Sequence, residues 1–320
     1  MDRITLGRTN IMVSAISLGT WSYGGPNVSG GQSVGWMGQE DRDSTEALIR
    51  AWKLGINHWD TADVYGSGKS EKIIGGIWDI VPRDEIFLAT KVGWDKGTYE
   101  HFYHPDHMRH QLEQSLKNLK TETIDLYYLH HCLFGKKGEY FNEALEMMHR
   151  FKEEGKIRFI GISDWDMGKI MTYAALTNPD VIQAYRNVMD DDYESSGLKA
   201  WVDQKNTGVV FFSPIKHGLL TGKYTKPVQF PEGDFRKNIK DFGNKAIIEK
   251  MMENRILLEE RFSHHSESIL HGLVDSLLID SQTGCVLLGQ RNSAQVESAA
   301  KVGTPLSQED ADWVKALYRK

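Results

Sequence analysis

Gly55-Ile56-Asn57-His58-Trp59-Asp60-Thr61-Ala62-Asp63-Val64-Tyr65-Gly66 changes character halfway along. The first half is apolar and aromatic and reads as a short buried strand, led in by a helix-ending glycine. The second half is polar, runs into Gly66-Ser67-Gly68 and reads as a loop. A carboxylate, Asp60, stands where the strand stops, and a phenol, Tyr65, follows on the loop. Buried strands of α/β proteins carry their chemistry at the carboxyl end. The plainer alternative makes Asp60 a turn cap and Tyr65 a packing residue, and the rest of the chain decides between them.

Upstream, residues 3–18 alternate about the polar turn Gly7-Arg8-Thr9-Asn10, which predicts a hairpin and then a strand, Ala15-Ile16-Ser17-Leu18. Residues 22–39 are rich in Gly and Ser and read as a loop, and a helix is expected over 44–54. Downstream the pattern repeats. Helices near 69–78, 106–119, 142–154, 166–176 and 195–206 alternate with strands at 86–91, 124–130, 157–163, 181–184 and 209–212. One or two helices between 244 and 281 precede a last strand, Gly284 to Gly289. Eight buried strands joined by helical crossovers predict one domain over residues 1–320, a (β/α)8 TIM barrel with an N-terminal β-hairpin. An open doubly wound sheet would be favoured by a Gly-x-Gly-x-x-Gly turn after the first strand, but Gly19 is followed by Thr20-Trp21-Ser22. The longest irregular stretch, Thr225 to Asn244, is a lid candidate.

A net charge of −6, with no long basic or acidic block, argues against nucleic-acid and polybasic membrane partners. Two distant cysteines, Cys132 and Cys285, point to a reducing compartment. The amino terminus lacks the apolar run of a signal peptide, and no segment nears the roughly 18 apolar residues of a membrane span. A cytoplasmic protein is the expectation, with the oligomeric state left open.

In a closed barrel the strand ends share one face, so Asp60, Tyr65, Lys91 and His130 are expected to meet. Such a set suits proton transfer to a carbonyl oxygen. A free phenol, with a pKa of roughly 10, holds its proton too tightly to donate and reload near neutrality. A nearby ammonium lowers that pKa, and a carboxylate keeps the ammonium charged and placed. A neutral imidazole orients the carbonyl. A metal site is not expected: His-x-His and His-Glu-x-x-His pairs are missing, and His130 and His131 point to opposite faces if both lie on a strand.

These residues resemble the catalytic motifs of the aldo-keto reductase superfamily. The stretches concerned are Asp60-Thr61-Ala62-Asp63-Val64-Tyr65-Gly66, then Lys91, then Asp125-Leu126-Tyr127-Tyr128-Leu129-His130. The resemblance continues through Gly155 to Trp165, Phe212-Ser213-Pro214, Gly218 to Tyr224 and Gly289 to Val296, and so spans nearly the whole chain. It looks closest to the bacterial branch that also resembles potassium-channel β subunits. It implies reduction of a small aldehyde or ketone with NADPH, NADH being the alternative, by Tyr65 as proton donor, Lys91 and Asp60 as its tuning pair and His130 as carbonyl orienter.

The same resemblance implies a cofactor seat across the strand ends. Ser163, Asp164 and Gln183 would hold the carboxamide and Phe212 would stack on the nicotinamide, with Gly19, Thr20, Trp21 and Asp60 alongside. Ser213, Pro214, Ile215, Gly218, Lys223, Gly289, Arg291 and Gln295, with Arg236 from the long loop, would take the phosphates and adenosine. Two positions depart from the pattern. Asp164 replaces a usual Asn and, ionised, can only accept from the carboxamide nitrogen. Ser298-Ala299 replace a usual Glu-Asn beside adenine. Trp21, Tyr23, Trp36, Trp94 and Tyr99 are candidate substrate walls, while His101, His104 and His107 are read as structural. Two other functions stay open: a nucleotide-binding regulatory subunit of the channel β type and an NAD-linked sugar dehydrogenase.

Overall fold

The computed structural model describes residues 1–29 and 31–319; Gly30, within the predicted loop, lies outside them. The chain opens with the hairpin, β1 (Arg3–Thr5) and β2 (Met12–Ser14), followed by the first barrel strand, β3 (Ile16–Gly19). A small antiparallel pair, β4 (Val28–Ser29) and β5 (Gln32–Ser33), lies where an irregular loop is predicted. Alternation then holds as expected: α1 (Asp41–Lys53), β6 (His58–Asp60), α2 (Lys69–Gly75), β7 (Phe87–Val92), α3 (Pro105–Leu119), β8 (Ile124–Leu129), α4 (Phe141–Glu153) and β9 (Ile157–Asp164). It continues with α5 (Met167–Thr177), β10 (Val181–Tyr185), α6 (Leu198–Lys205) and β11 (Gly208–Phe212). Next come α7 (Lys245–Arg261), the short α8 (Ser268–Leu270) running into a π-turn at His271–Asp275, and β12 (Gly284–Gly289). Two closing helices follow, α9 (Ser293–Ala299), which packs against α1, and α10 (Gln308–Tyr318), which packs against α7 and the His271–Asp275 turn.

Strands β3, β6, β7, β8, β9, β10, β11 and β12 pair in that order, all parallel, and β12 returns to β3 to close the barrel. The sequence makes this ring by giving most strands two buried faces and each helix one apolar face. In α3, for example, Met108, Leu112 and Leu119 are fully buried on one side, and each such side chain contributes about 1.5–3 kcal/mol through burial. His104 caps that helix with its ring nitrogen on the Asp106 amide, and Pro105 occupies the first turn, where an N–H is not needed. Asp166 caps α5 through the amides of Gly168 and Lys169.

Inside the ring, Phe87, Ala89, Leu126, Tyr128, Val181, Val210, Cys285 and Leu287 form a core closed at the amino-terminal end by Leu6 and Val13 of the hairpin. The hairpin is therefore a plug. Tyr128 crosses the interior over Gly161, where any Cβ would press into the phenol ring at less than contact distance. Gly161→Ala is expected to cost about 1–3 kcal/mol by overpacking, read as a lowered Tm; an unchanged Tm would remove this account of Gly161. No described helix is long and apolar enough to cross a membrane.

Candidate active site

The open end of the barrel is a cavity of about 360 Å³. Its floor is set by strand register. Asp60 is flush with Gly19 on one side and Ala89 on the other, and Lys91 is flush with Tyr128. Lys91 has no solvent exposure, and its Nζ donates to Asp60 Oδ1 at 2.5 Å, to the Thr61 carbonyl at 2.6 Å and to Tyr65 Oη at 3.4 Å. Asp60 Oδ2 accepts from Gln183 Nε2 at 2.8 Å. Gln183 Oε1 in turn accepts from Ser163 Oγ at 3.5 Å. Tyr65 is held by a turn in which Gly66, at φ +62°, lies backbone to backbone on Gly24, so neither position has room for a side chain. The Tyr65 and His130 rings meet edge to face with centroids 6.1 Å apart, and Trp21 stacks on Tyr65 at 5.8 Å.

The electrostatics differ from the sequence expectation in one respect. Burial holds the Tyr65 phenol well above its ordinary pKa, and the charges of Asp60 and Asp63 push it the same way. The ammonium of Lys91 is close but matched by Asp60, so the pair offers the phenol little net positive charge. Burial pushes Asp60 up and Lys91 down, and each is the main force opposing the shift of the other. His130 is kept neutral by burial, then by His131 and Lys91.

Asp60, Tyr65 and His130 line the cavity, with Lys91 directly behind. Gly19, Thr20, Trp21, Ser163, Gln183, Phe212, Ser213, Pro214, Ile215, Gly218, Lys223, Arg236, Gly289, Arg291 and Gln295 line it too. Asp164 is set apart from this group: its carboxylate accepts from the amides of Cys132 (2.8 Å) and Asp166 (2.9 Å) and ties two strand ends together. Of the candidate walls, Trp21, Trp36 and Trp94 face the cavity. Tyr23 is buried and donates to the Gln290 carbonyl at 2.8 Å, and Tyr99 packs on His104 and His107. The expected strand end at His130 falls one residue earlier: β8 stops at Leu129, so the condition for opposed His130 and His131 side chains is not met, and the two rings stack at 4.9 Å. His107 bonds the Asp95 carbonyl at 2.7 Å, and His101 stacks on Tyr140.

Several lining residues were not among the candidate site residues of the sequence reading. Trp165, His217 and Phe235 meet at the rim, with Trp165 and Phe235 stacked at 5.7 Å and His217 5.1 Å from Phe235. His217 sits at φ +57°, between Ile215 and Gly218, which had both been singled out. Burial drops its imidazole to about 3, so it is neutral. Trp165 follows Ser163 and Asp164, a position that pointed towards the site. Its indole also walls a second hollow of about 510 Å³ lined by Asp166, Tyr185, Asp192 and Ser195.

Two loops cross the cavity mouth. Phe235 N donates to the Gly35 carbonyl at 2.8 Å, Asn238 Nδ2 to the Ser33 carbonyl at 2.8 Å, and Met37 N to Asp234 Oδ2 at 3.1 Å. Arg291 reaches the same strap, donating to the carbonyls of Met37 (2.9 Å) and Gly38 (2.6 Å) and to Gln39 Oε1 (2.9 Å). Arg236 is paired with Asp234, whereas Lys223 and Arg291 have no recorded carboxylate partner among the described residues. Burial and mutual repulsion lower the pKa of both: Lys223 is pushed down by Arg236 and Arg291, and Arg291 by Arg236. Two cations with no carboxylate partner among the described residues thus line this end of the cavity.

A closed parallel barrel with polar strand-end residues gathered around one deep cavity is the architecture of a barrel enzyme. The chain belongs to the aldo/keto reductase family, whose family model matches residues 15–319. It is 31% identical over 314 residues to the aldo-keto reductase YhdN of Bacillus subtilis, covering 97% of this chain and 91% of that protein. It is 32% identical over 242 residues to the NADH-specific methylglyoxal reductase of Escherichia coli, covering 71% of each. Among solved structures, the glycerol dehydrogenase of Gluconobacter oxydans superposes with a TM-score of 0.82 at 27% identity, covering 99% of this chain and 94% of that one. The chain is thus an oxidoreductase of a family that uses nicotinamide cofactors on small carbonyl compounds.

Proposed function

We propose that this protein reduces an aldehyde or ketone to an alcohol with NADPH, Tyr65 giving the proton. The contact of Lys91 Nζ with both Asp60 and Tyr65 at the cavity floor carries this reading. A cofactor fits the residues present: an aromatic face at Phe212, amide and hydroxyl groups at Gln183 and Ser163, and unmatched cations at the far end. Bound NADPH supplies the hydride. Phe212 would back the nicotinamide, Gln183 and Ser163 would hold its carboxamide, and Asp164 keeps the neighbouring strand end in place. Gly19, Thr20 and Trp21 would flank it. The backbone from Ser213 to Gly218, with Gly289 and Gln295, would receive the phosphates and adenosine.

The substrate carbonyl oxygen lies between Tyr65 Oη and the neutral His130 ring, which orients it. Tyr65 stays protonated at neutral pH because of burial, so it acts as a donor. Lys91 Nζ, 3.4 Å from Tyr65 Oη, donates a local hydrogen bond to the phenolate left after transfer, although its pairing with Asp60 leaves little net positive charge there. The aromatic walls Trp21, Trp36, Trp94 and Trp165 keep water from the reacting centre.

Cofactor choice rests on charge, since one relative is named NADH-specific. Arg291 and Lys223 would neutralise a 2′-phosphate, Arg291 through Nη1, the nitrogen that its bonds to the Met37–Gln39 strap do not use. A panel of aldehydes and ketones, followed by consumption of NADPH and of NADH in turn, is expected to show turnover with preference for NADPH; no turnover of any carbonyl would end the proposal. In the same assay, Arg291→Ala should weaken NADPH by about ten- to hundredfold, the worth of a charged hydrogen bond, and NADH much less. Equal loss for both would assign Arg291 to the strap alone.

A further inference from the structure

Four ionisable side chains around Tyr65 are almost completely buried: Lys91 and Glu71 at 0% exposure, Asp60 at 1% and Asp63 at 7%. That is three carboxyl groups to one ammonium. Buried like charges at close quarters do not all ionise together, so the group with the poorest solvation keeps a proton. The hydrogen bonds say which one. Asp60 has Lys91 on one oxygen and Gln183 on the other. Glu71, on α2, accepts from Thr90 Oγ1 at 2.8 Å and from Asn118 Nδ2 at 3.0 Å, one on each oxygen. Asp63 accepts from Gln111 Nε2 at 2.8 Å through Oδ2, while its Oδ1 is buried with no partner among the described residues.

We propose that Asp63 is the protonated member of this set, and that its ionisation retunes the Tyr65 phenol, making it a positioning residue for the proton transfer. The inference rests on the carbonyl-reductase reading for its second half and on geometry alone for its first. Asp63 lies in the same turn as Tyr65, and its amide donates to the Lys91 carbonyl at 3.3 Å. The ionisable groups acting on it are Glu71 on α2, Lys91 on β7 and Asp95 on the following loop. Asp60 and Tyr65 belong to its own strand and turn, and the phenols of Tyr103 and Tyr127, both neutral, feel its charge. Burial first, then Glu71, pushes Asp63 up to about 7, with the Gln111 donor opposing and Asp95 adding to the rise.

The direction of the effect follows. Below about 7 Asp63 is neutral and the phenol feels one negative charge fewer, so it is the stronger acid. As pH rises through that value the new carboxylate makes Tyr65 a weaker donor, and kcat for carbonyl reduction falls by about three- to tenfold. In Asp63→Asn that limb should vanish and the rate hold its low-pH level. A merely structural Asp63 would lower the Tm of the variant and leave the limb where it was, which would overturn the proposal.

Infrared difference spectra of the wild-type protein, carboxyl-labelled at aspartate and titrated from about pH 5 to about pH 9, test the protonation directly. A protonated aspartyl band should disappear with a midpoint near 7. Gln111→Leu, which removes a donor to the carboxylate, should move the midpoint upward. No such band, or a midpoint untouched in Gln111→Leu, refutes the proposal whether or not Asp63→Asn folds. If no carbonyl compound is turned over at any pH, the functional reading falls, and the infrared titration alone upholds or refutes the protonated Asp63.

Discussion

Tyr65→Phe is expected to lower kcat for carbonyl reduction by about two to four orders of magnitude, the usual share of a positioned proton donor. The variant keeps the ring, and with it the stack on Trp21 and the edge contact with His130. What it removes is one oxygen, whose recorded hydrogen bond is the 3.4 Å contact from Lys91. Fold stability should therefore move little, and cofactor affinity, measured by quenching of the cavity tryptophans, should stay close to wild type. Loss of rate with intact cofactor binding is the signature of a group that acts on the reacting oxygen. Wild-type turnover in Tyr65→Phe would remove the proton-donor assignment; parallel loss of cofactor binding would mean that the phenol holds the cavity together instead.

Lys91→Ala should be the most destabilising single change at the site. It strips Asp60 of its counter-ion while Gln183 remains as the recorded donor to the other oxygen. A buried pair broken on one side costs about 3–5 kcal/mol, more than the intact pair contributes, because an uncompensated charge is left inside. Chemical denaturation should show this deficit at neutral pH. The sign of its pH dependence is fixed. In the variant, Asp60 has a folded pKa above its unfolded value of about 4, so the penalty is small when the carboxyl is protonated and grows as pH rises through that range. Lys91→Ala combined with Asp60→Asn should recover part of the loss. A deficit independent of pH, with no recovery in the double variant, would show that Lys91 stabilises by packing and not by charge.

The barrel was legible because its signal is repetitive. Apolar runs such as Ile124 to Leu129 and Val181 to Ala184 recur between amphipathic helices, and the observed strands begin or end within a few residues of the expected limits. The strand-end residues Asp60, Lys91 and His130 were legible for the same reason, since a parallel ring brings all carboxyl ends to one rim. Loops gave less. Trp165, His217 and Phe235 owe their place to turns without periodicity, and His217 adopts a left-handed backbone that nothing but its neighbour Gly218 hints at. The hydrogen bonds of Arg291 to the Met37–Gln39 strap depend on the packing of segments over 250 residues apart in the chain. The balance of charge at Tyr65 was also hidden. Sequence shows an ammonium near a phenol, but whether it acts as a free cation depends on the 2.5 Å bond to Asp60.

Trp165 lines both the barrel-mouth cavity and the hollow beside Asp192. One rim side chain therefore borders two spaces at once. A change of residue there would redraw the outline of both, while the barrel beneath it stays the same.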